Sequence, residues 1–483
     1  MKIRLFYAII YRMIFFKESF MKKLLCLLLI ISFVLPLVSC DFADFFTPKT
    51  DGYVNGTHIK EFSIVYSDED TDYSKRAAEY IQAEIKESTG YTLEIVEDND
   101  KKTDCEIVVG NTSREISAKL DAKTEGLEFS VLADGTSVAL EGDYFIIAAA
   151  AYYFIEIYFR AADLNATVPT EATVLEPIKK EAKNFILLIG DGMGFNQTKL
   201  FQQMKNDVVF GDGEDIFYGY LLPYQGASRT NSLSGTTDSA AGGTALSCGI
   251  KTLNKHIGVN ENGEAVKNMT ELANELGKSA GVMSTEVETG ATPSTFYAHV
   301  DNRDNKSQII KDGLSAYMNY GTVIECGYDY YTKNDVAGIL ERYIEDTLDE
   351  LSGDENGFFL MYEEAYIDKH CDDMDITNAF KAMVRFNQAI GRFMEFAFYN
   401  PETFILITAD HETGDLQYDD NGVLEFNTTE HTSQNVPIFA YGMGAELFDG
   451  VEIENIQISH TIAALMGYDN HGDQSVYQSL TKK

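Results

Sequence analysis

Four apolar runs between residues 184 and 413 each break off on a residue able to bind a cation or a phosphate. The run in "NFILLIGDGMG" stops at Gly190 and presents Asp191. "SAGVMSTEVETGATP" leads to Thr292, "GFFLMYEEA" carries Glu363, and "TFILITADHETGD" ends on Asp410 and His411. Short apolar runs alternating with helical patterns predict a parallel sheet flanked by helices. In such open sheets, ligands bind beyond the carboxyl ends of the strands. A single carboxylate after a strand is commonly a helix cap. Four such ends in one region point to a shared site. The expected fold is α/β: a large, mostly parallel sheet sandwiched by helices over residues 184–483, preceded by a small α/β unit.

Bulk properties narrow the function. The chain has 483 residues, 45% of them hydrophobic, so it is globular with room for two or three domains. A formal net charge of −38 repels phosphate backbones and disfavours nucleic acid as a partner. It is compatible with cation binding.

Residues 21–40, "MKKLLCLLLIISFVLPLVSC", have two lysines, an apolar stretch and a Ser before Cys40. This is the pattern of a secretory signal. The apolar stretch from Leu24 to Val38 is short for a membrane span. "LVSC" resembles the lipobox at which bacterial lipoproteins are cleaved and acylated. Translation from Met21, a membrane anchor through lipidated Cys40 and an extracytoplasmic location are expected. Residues 41–57 read as a tether, 58–163 as an α/β accessory domain and 164–183 as a linker. The accessory unit is weakly similar to accessory domains of secreted bacterial glycosidases, which makes cell-wall polysaccharide its expected partner. Cys105, Cys248, Cys326 and Cys371 are too scattered for a disulfide framework or a zinc ribbon.

Two further segments carry chemistry. "SGTTDSAAGGTALSCG" (234–249) places Ser239 before Ala-Ala-Gly-Gly. A helix starting there would aim free N–H groups at an anion. Alternatively, Asp238 or Ser239 merely caps the helix. No histidine accompanies the serine in a G-x-S-x-G arrangement, so a Ser-His-Asp triad is disfavoured. Metal coordination is another route to an activated hydroxyl. "YIDKHCDDMD" (366–375) follows the Glu363 run. If it is helical, Asp368 and Asp372 share a face and His370 points away. Cys371 reads as a packing residue, and His431, before another apolar run, offers a nitrogen ligand.

Taken together, "ILLIGDGMG", "TDSAAGGTA", "ATPSTFYAHVDNR", "EEAYIDK", "LITADHETGD" and "HTSQNVPIFAYGMGAELFDG" resemble the alkaline phosphatase family in content, order and spacing. The resemblance implies a site for two Zn2+ and one Mg2+, and hydrolysis of phosphate monoesters through a phosphoserine. By position, Ser239 matches the nucleophile and Arg303 the phosphate clamp. Asp238 would orient that arginine, and Lys369 would help to hold phosphate. Asp368 and His431 match ligands of the first zinc. Asp410 and His411 match ligands of the second, which Asp191 bridges to magnesium. Thr292 and Glu363 complete the magnesium set.

Two positions depart from the family pattern. Where the family has His four residues after the aspartate matching Asp368, this chain has Asp372, with His370 and Asp373 as alternatives. Where the family has Asp or His two residues before the threonine, this chain has Gly290, so the magnesium shell is expected to rely on water. These departures leave open a binding protein that kept the fold, beside the phosphomonoesterase and a phosphodiesterase of the same superfamily. His299 and His460 read as structural, and nothing fixes His256 at the site.

Overall fold

The computed structural model describes residues 49–67, 72–120, 124–204, 216–327 and 339–472. The signal, the lipobox and Cys40 lie outside these residues. No helix among the described residues is long and apolar enough to cross a membrane.

The first unit is a six-stranded sheet. In chain order it uses β1 (Ser63–Tyr66), β2 (Glu94–Glu97), β3 (Glu106–Val109), β4 (Phe129–Asp134), β5 (Ser137–Glu141) and β6 (Thr173–Leu175). Their spatial order is β2-β1-β3-β5-β4-β6. Helix α1 (Asp72–Thr89) buries Ala77, Ala78, Ile81 and Ile85 at helical spacing. The apolar stretch beginning at Tyr144 forms α2 (Ile147–Tyr153) and continues as a π-helix through Arg160. The stretch 164–183, expected to be a linker, contributes β6 and a two-residue strand paired with Tyr53–Val54. Those pairings bind it to the first unit's sheets.

The second unit is an eight-stranded sheet. It comprises β7 (Asn184–Gly190), β8 (Tyr224–Arg229), β9 (Ser279–Ser284), β10 (Val323–Cys326), β11 (Phe358–Glu364), β12 (Thr403–Thr408), β15 (Val436–Tyr441) and β16 (Glu452–Glu454). A small hairpin, β13 (Glu412–Thr413) with β14 (His431–Thr432), stands outside it. The order is β10-β9-β11-β7-β12-β15-β8-β16, and β15 alone runs antiparallel to its neighbours. The expected mostly parallel sheet is therefore present. β7, β11 and β12 are buried along their whole length, which explains their unbroken apolar sequences.

The strands expected to deliver the site are the four adjacent ones, β9-β11-β7-β12. Their register aligns Ser284 with Glu363, Glu363 with Ile189, and Ile189 with Thr408. Asp191 and Asp410 then leave the sheet at one edge beside Glu363. Helix α3 (Ser239–Cys248) covers this edge. Cβ atoms on Gly242 would come within 2.9 Å of the Asp410 carbonyl, so the glycine brings the helix against the loop after β12. This glycine therefore serves the packing of two protein segments.

The two units share one hydrophobic cluster containing Ile64, Ile107 and Phe145 with Ile186, Phe386 and Phe398. Helix α4 (Tyr366–Asp372) is followed by the cluster's spine, α5 (Ile376–Tyr399), started by Asp375, whose carboxylate accepts from Asn378 N–H at 3.1 Å. Each fully buried large apolar side chain stabilises such a core by about 1.5–3 kcal/mol.

Candidate active site

Asp238 does both jobs the sequence left open. Its Oδ1 caps α3, accepting from Ala241 N–H at 3.0 Å. Its Oδ2 accepts from Lys255 N–H at 3.0 Å and from Arg303 Nη1 at 3.4 Å. The cap therefore fixes Ser239 as the first residue of a ten-residue helix and holds Arg303 beside it.

Ser239 Oγ lies 3.2 Å from His411 Nε2. This histidine, expected as a metal ligand of the same site, comes from the β12 end, 172 residues along the chain. The arrangement is still not a triad. In a triad the carboxylate holds the nitrogen remote from the serine. Here Asp191 Oδ1 and Asp410 Oδ2 each lie 3.3 Å from the same nitrogen that faces Ser239. The remote nitrogen, Nδ1, lies 3.1 Å from Thr413 Oγ1. Thr413 donates its own proton to Asp368 Oδ1 at 2.5 Å. Its oxygen is thus free to accept from His411 Nδ1–H, which leaves a lone pair on Nε2. Burial holds His411 well below the usual histidine pKa, with His431 and Arg303 adding to the effect.

The hairpin β13–β14 pairs Thr413 with His431 and stacks the His411 and His431 rings at 3.6 Å between centroids. His431 Nδ1 donates to the Thr237 carbonyl at 2.9 Å, and Nε2 lies 3.5 Å from Asp368 Oδ1. Two groupings result, Asp368-His411-His431 and Asp191-Asp410-His411, each with donor atoms within 4.8 Å of one another.

Burial raises the Asp191 pKa well above the carboxylate range, and Asp410, Asp368, Glu363 and Glu286 push it further. Burial, with Asp368, pushes Asp410 up to about 7. Glu363 is pushed up to about 8 by burial and then by Glu286, against a hydrogen bond from Ser284. Burial disfavours charge on His431, but Asp368, the Thr237 carbonyl, Asp410 and Asp372 together outweigh it and the pKa rises.

Whether cations fit can be judged from the oxygens themselves. Asp191 Oδ1, Asp410 Oδ2, Glu363 Oε1 and Thr292 Oγ1 are buried and make no hydrogen bond of ordinary geometry. Buried polar atoms are normally paired. Converging carboxylate and hydroxyl oxygens beside imidazole nitrogens suit divalent cations, so the donor set fits.

The remaining expected residues divide. Asp372 is half-buried one turn after Asp368, as the predicted helix requires, and its pKa is pushed up to about 6 by burial and by Asp368. His370 lies against Tyr366, with Asp375 and Asp373 as its charged neighbours, away from the cluster. Lys369 Nζ pairs with Glu286 at 3.0 Å and sits over the Tyr366 ring, so protein groups already engage its charge. Cys371 is fully buried, as a packing residue should be. His299 bonds Gly258 and Glu271, and His460 bonds Gly249, in structural roles. His256 bonds Thr252 and Asn260.

Sequence reasoning missed Thr413, Ser284 and Glu286. Thr413 sets the tautomer of His411, Ser284 donates to Glu363 Oε2, and Glu286 is the charge nearest Lys369. The only signal for Glu286 was its spacing of four residues from Gly290.

Comparison with known proteins agrees with this geometry. The alkaline phosphatase family profile matches residues 182–322 and 325–417. Alkaline phosphatase 3 of Bacillus subtilis is 31% identical over 345 residues, 60% of this chain and 74% of the relative. Alkaline phosphatase 4 of the same organism is 29% identical over 320 residues, covering 55% and 68%. The alkaline phosphatase of the Antarctic bacterium TAB5 superposes with a TM-score of 0.53 at 28% identity, covering 61% of this chain and 100% of that one. A variant of the TAB5 enzyme has been solved with Mg bound in its M3 site. These matches run through the strand ends and the helix that gather the buried oxygens around Ser239. The chain belongs to the alkaline phosphatase family, and it is a phosphatase that hydrolyses phosphate esters.

Proposed function

We propose that the chain hydrolyses phosphate monoesters through a phosphoserine on Ser239, beside two zinc ions and one magnesium ion. The observation that supports this is the convergence of Asp191 Oδ1, Asp410 Oδ2 and the His411 Nε2 lone pair on one small volume, with Ser239 Oγ 3.2 Å from that nitrogen. Asp191, Asp410 and His411 would hold one zinc, Asp368, Asp372 and His431 the other, and Asp191, Thr292 and Glu363 the magnesium. Divalent cations there supply Lewis acidity that lowers the serine pKa and offsets charge on the attacking and leaving oxygens.

The protein groups do the rest. The α3 N–H groups face the phosphoryl oxygens, and Arg303, braced by Asp238, grips two of them. Ser239 Oγ attacks phosphorus as the ester P–O bond breaks, and the alcohol leaves with a proton. Water then cleaves the Oγ–P bond, which restores the hydroxyl and releases phosphate.

The test is Ser239→Ala, assayed on p-nitrophenyl phosphate and bis(p-nitrophenyl) phosphate with zinc and magnesium present. Turnover of the monoester should fall by at least about 10³-fold, as for removal of other nucleophiles. Metal content should stay unchanged. A variant that turns over at the parental rate rules out the nucleophile. A wild-type protein that prefers the diester rules out the monoester reading.

A further inference from the structure

We propose that Glu286 supplies the carboxylate that Gly290 does not bring to the magnesium site. This rests on the metal-dependent reading of the site and adds a residue to it.

Space gives the first argument. A Cβ on Gly290 would lie 2.4 Å from Glu286 Oε2 and 2.7 Å from its Cδ and Cγ. The Glu286 side chain therefore occupies the volume that a side chain at 290 would enter, and the two exclude each other. A tight turn produces this: Gly290 N–H donates to the Val287 carbonyl at 2.7 Å, folding the segment back on itself.

Connectivity gives the second. Ser284 Oγ accepts from Glu286 N–H at 2.9 Å and donates to Glu363 Oε2. One hydroxyl thus ties the Glu286 backbone to a carboxylate of the same site. Glu286 Oε1 is held by Lys369 Nζ at 3.0 Å, which leaves Oε2 directed at Gly290.

The third argument is independent of Glu286. Glu363 Oε1 and Thr292 Oγ1 are fully buried and neither makes a hydrogen bond of ordinary geometry, while the Thr292 hydroxyl lies close enough to Glu363 to favour its ionised form. A hard cation that takes oxygen ligands and retains waters satisfies both, and a further carboxylate beside them completes an oxygen set. Glu286 binds that cation directly or through one of its waters. Lys369 then acts as a positioning residue, clamping one oxygen of Glu286 so that the other stays presented.

The experiment titrates Mg2+ into the zinc-loaded full chain by calorimetry, for wild type, Glu286→Gln, Gly290→Asp, and Glu286→Ala combined with Gly290→Asp. Wild type should take up one Mg2+. Glu286→Gln should weaken that uptake by about 10–100-fold, the usual cost of losing a supporting group at a metal. Its zinc content should not change. The double variant should recover most of the affinity, because aspartate at 290 enters the vacated volume. Gly290→Asp alone should not improve on wild type. Wild-type affinity in Glu286→Gln overturns the proposal, as does a folded double variant with no recovery. Should Glu286→Gln fail to fold, Mn2+ placed by anomalous scattering in wild-type crystals decides. An ion within one water of a Glu286 oxygen supports the assignment, and a more distant ion overturns it. Zinc uptake with magnesium binding indifferent to residue 286 sinks this assignment alone. A wild-type protein that takes up neither metal sinks the metal-dependent reading as well.

Discussion

Thr413 shows how one hydroxyl can set the chemistry of a site. By donating to Asp368 and accepting from His411, it fixes the imidazole tautomer and turns Nε2 into an acceptor facing Ser239 and two carboxylates. Asp372 stands where the family resemblance leads to the expectation of a histidine. It is anionic, half-buried and beside His431, but a carboxylate is a harder ligand than imidazole. Asp372→His should bind zinc more tightly by on the order of tenfold, about 1.4 kcal/mol. The gain should appear as higher activity at limiting zinc in a metal titration. Zinc affinity and stoichiometry identical to wild type would remove Asp372 from the ligand set.

At the scale of the element, α5 joins the two sheets. Arg76 of α1 donates from Nε to both Glu395 oxygens at 2.9 and 3.0 Å. Arg392 bonds Asp72 at 2.6 and 2.7 Å and reaches Glu395 at 3.3 Å. Glu395 is only 3% exposed, so removing its charge takes a buried partner from two arginines at the join. Glu395→Ala should destabilise the chain by about 3 kcal/mol, the low end for a broken buried pair because both arginines keep a second partner. Urea unfolding followed by circular dichroism checks this. A loss under about 1 kcal/mol would mean the network is solvated and adds little. The sequence read residues 164–183 as a linker between two units and did not show this join, because nothing local marks an arginine as the partner of a glutamate 319 residues away.

Across the whole molecule, packing carboxylates at one sheet edge has a cost that depends on pH. Glu363 and Asp410 are held up to about 8 and about 7, above their ordinary values of 4.5 and 3.8. The unfolded chain ionises these groups first, so their contribution to metal-free stability is greatest at low pH and falls until the folded groups have ionised. His431, also raised, adds a contribution lost in the same direction. His411 runs the other way, but its effect is complete by its ordinary 6.5. Between about pH 6.5 and about pH 8 the raised carboxylates therefore draw stability down with little offset from His411. Cations bind the ionised carboxylates, so they should stabilise the protein most at the upper end of that window. Melting temperatures in chelator should drop across the interval and stay level with zinc and magnesium added. Parallel curves would show that the clustered acids do not govern stability.

Local chemistry determined the parallel sheet and the strand ends. Fully buried strands need unbroken apolar runs, and Asp191, Glu363, Asp410 and His411 follow such runs at once. The helix with Asp368 and Asp372 on one face was legible for the same reason: spacing along a helix fixes direction. Tertiary structure alone decided that His411 faces Ser239, that Thr413 sets its tautomer, and that Glu286 fills the space beside Gly290. Those facts depend on how separate segments approach in space, and a linear sequence records residue types and their spacing but not which volumes their side chains come to share.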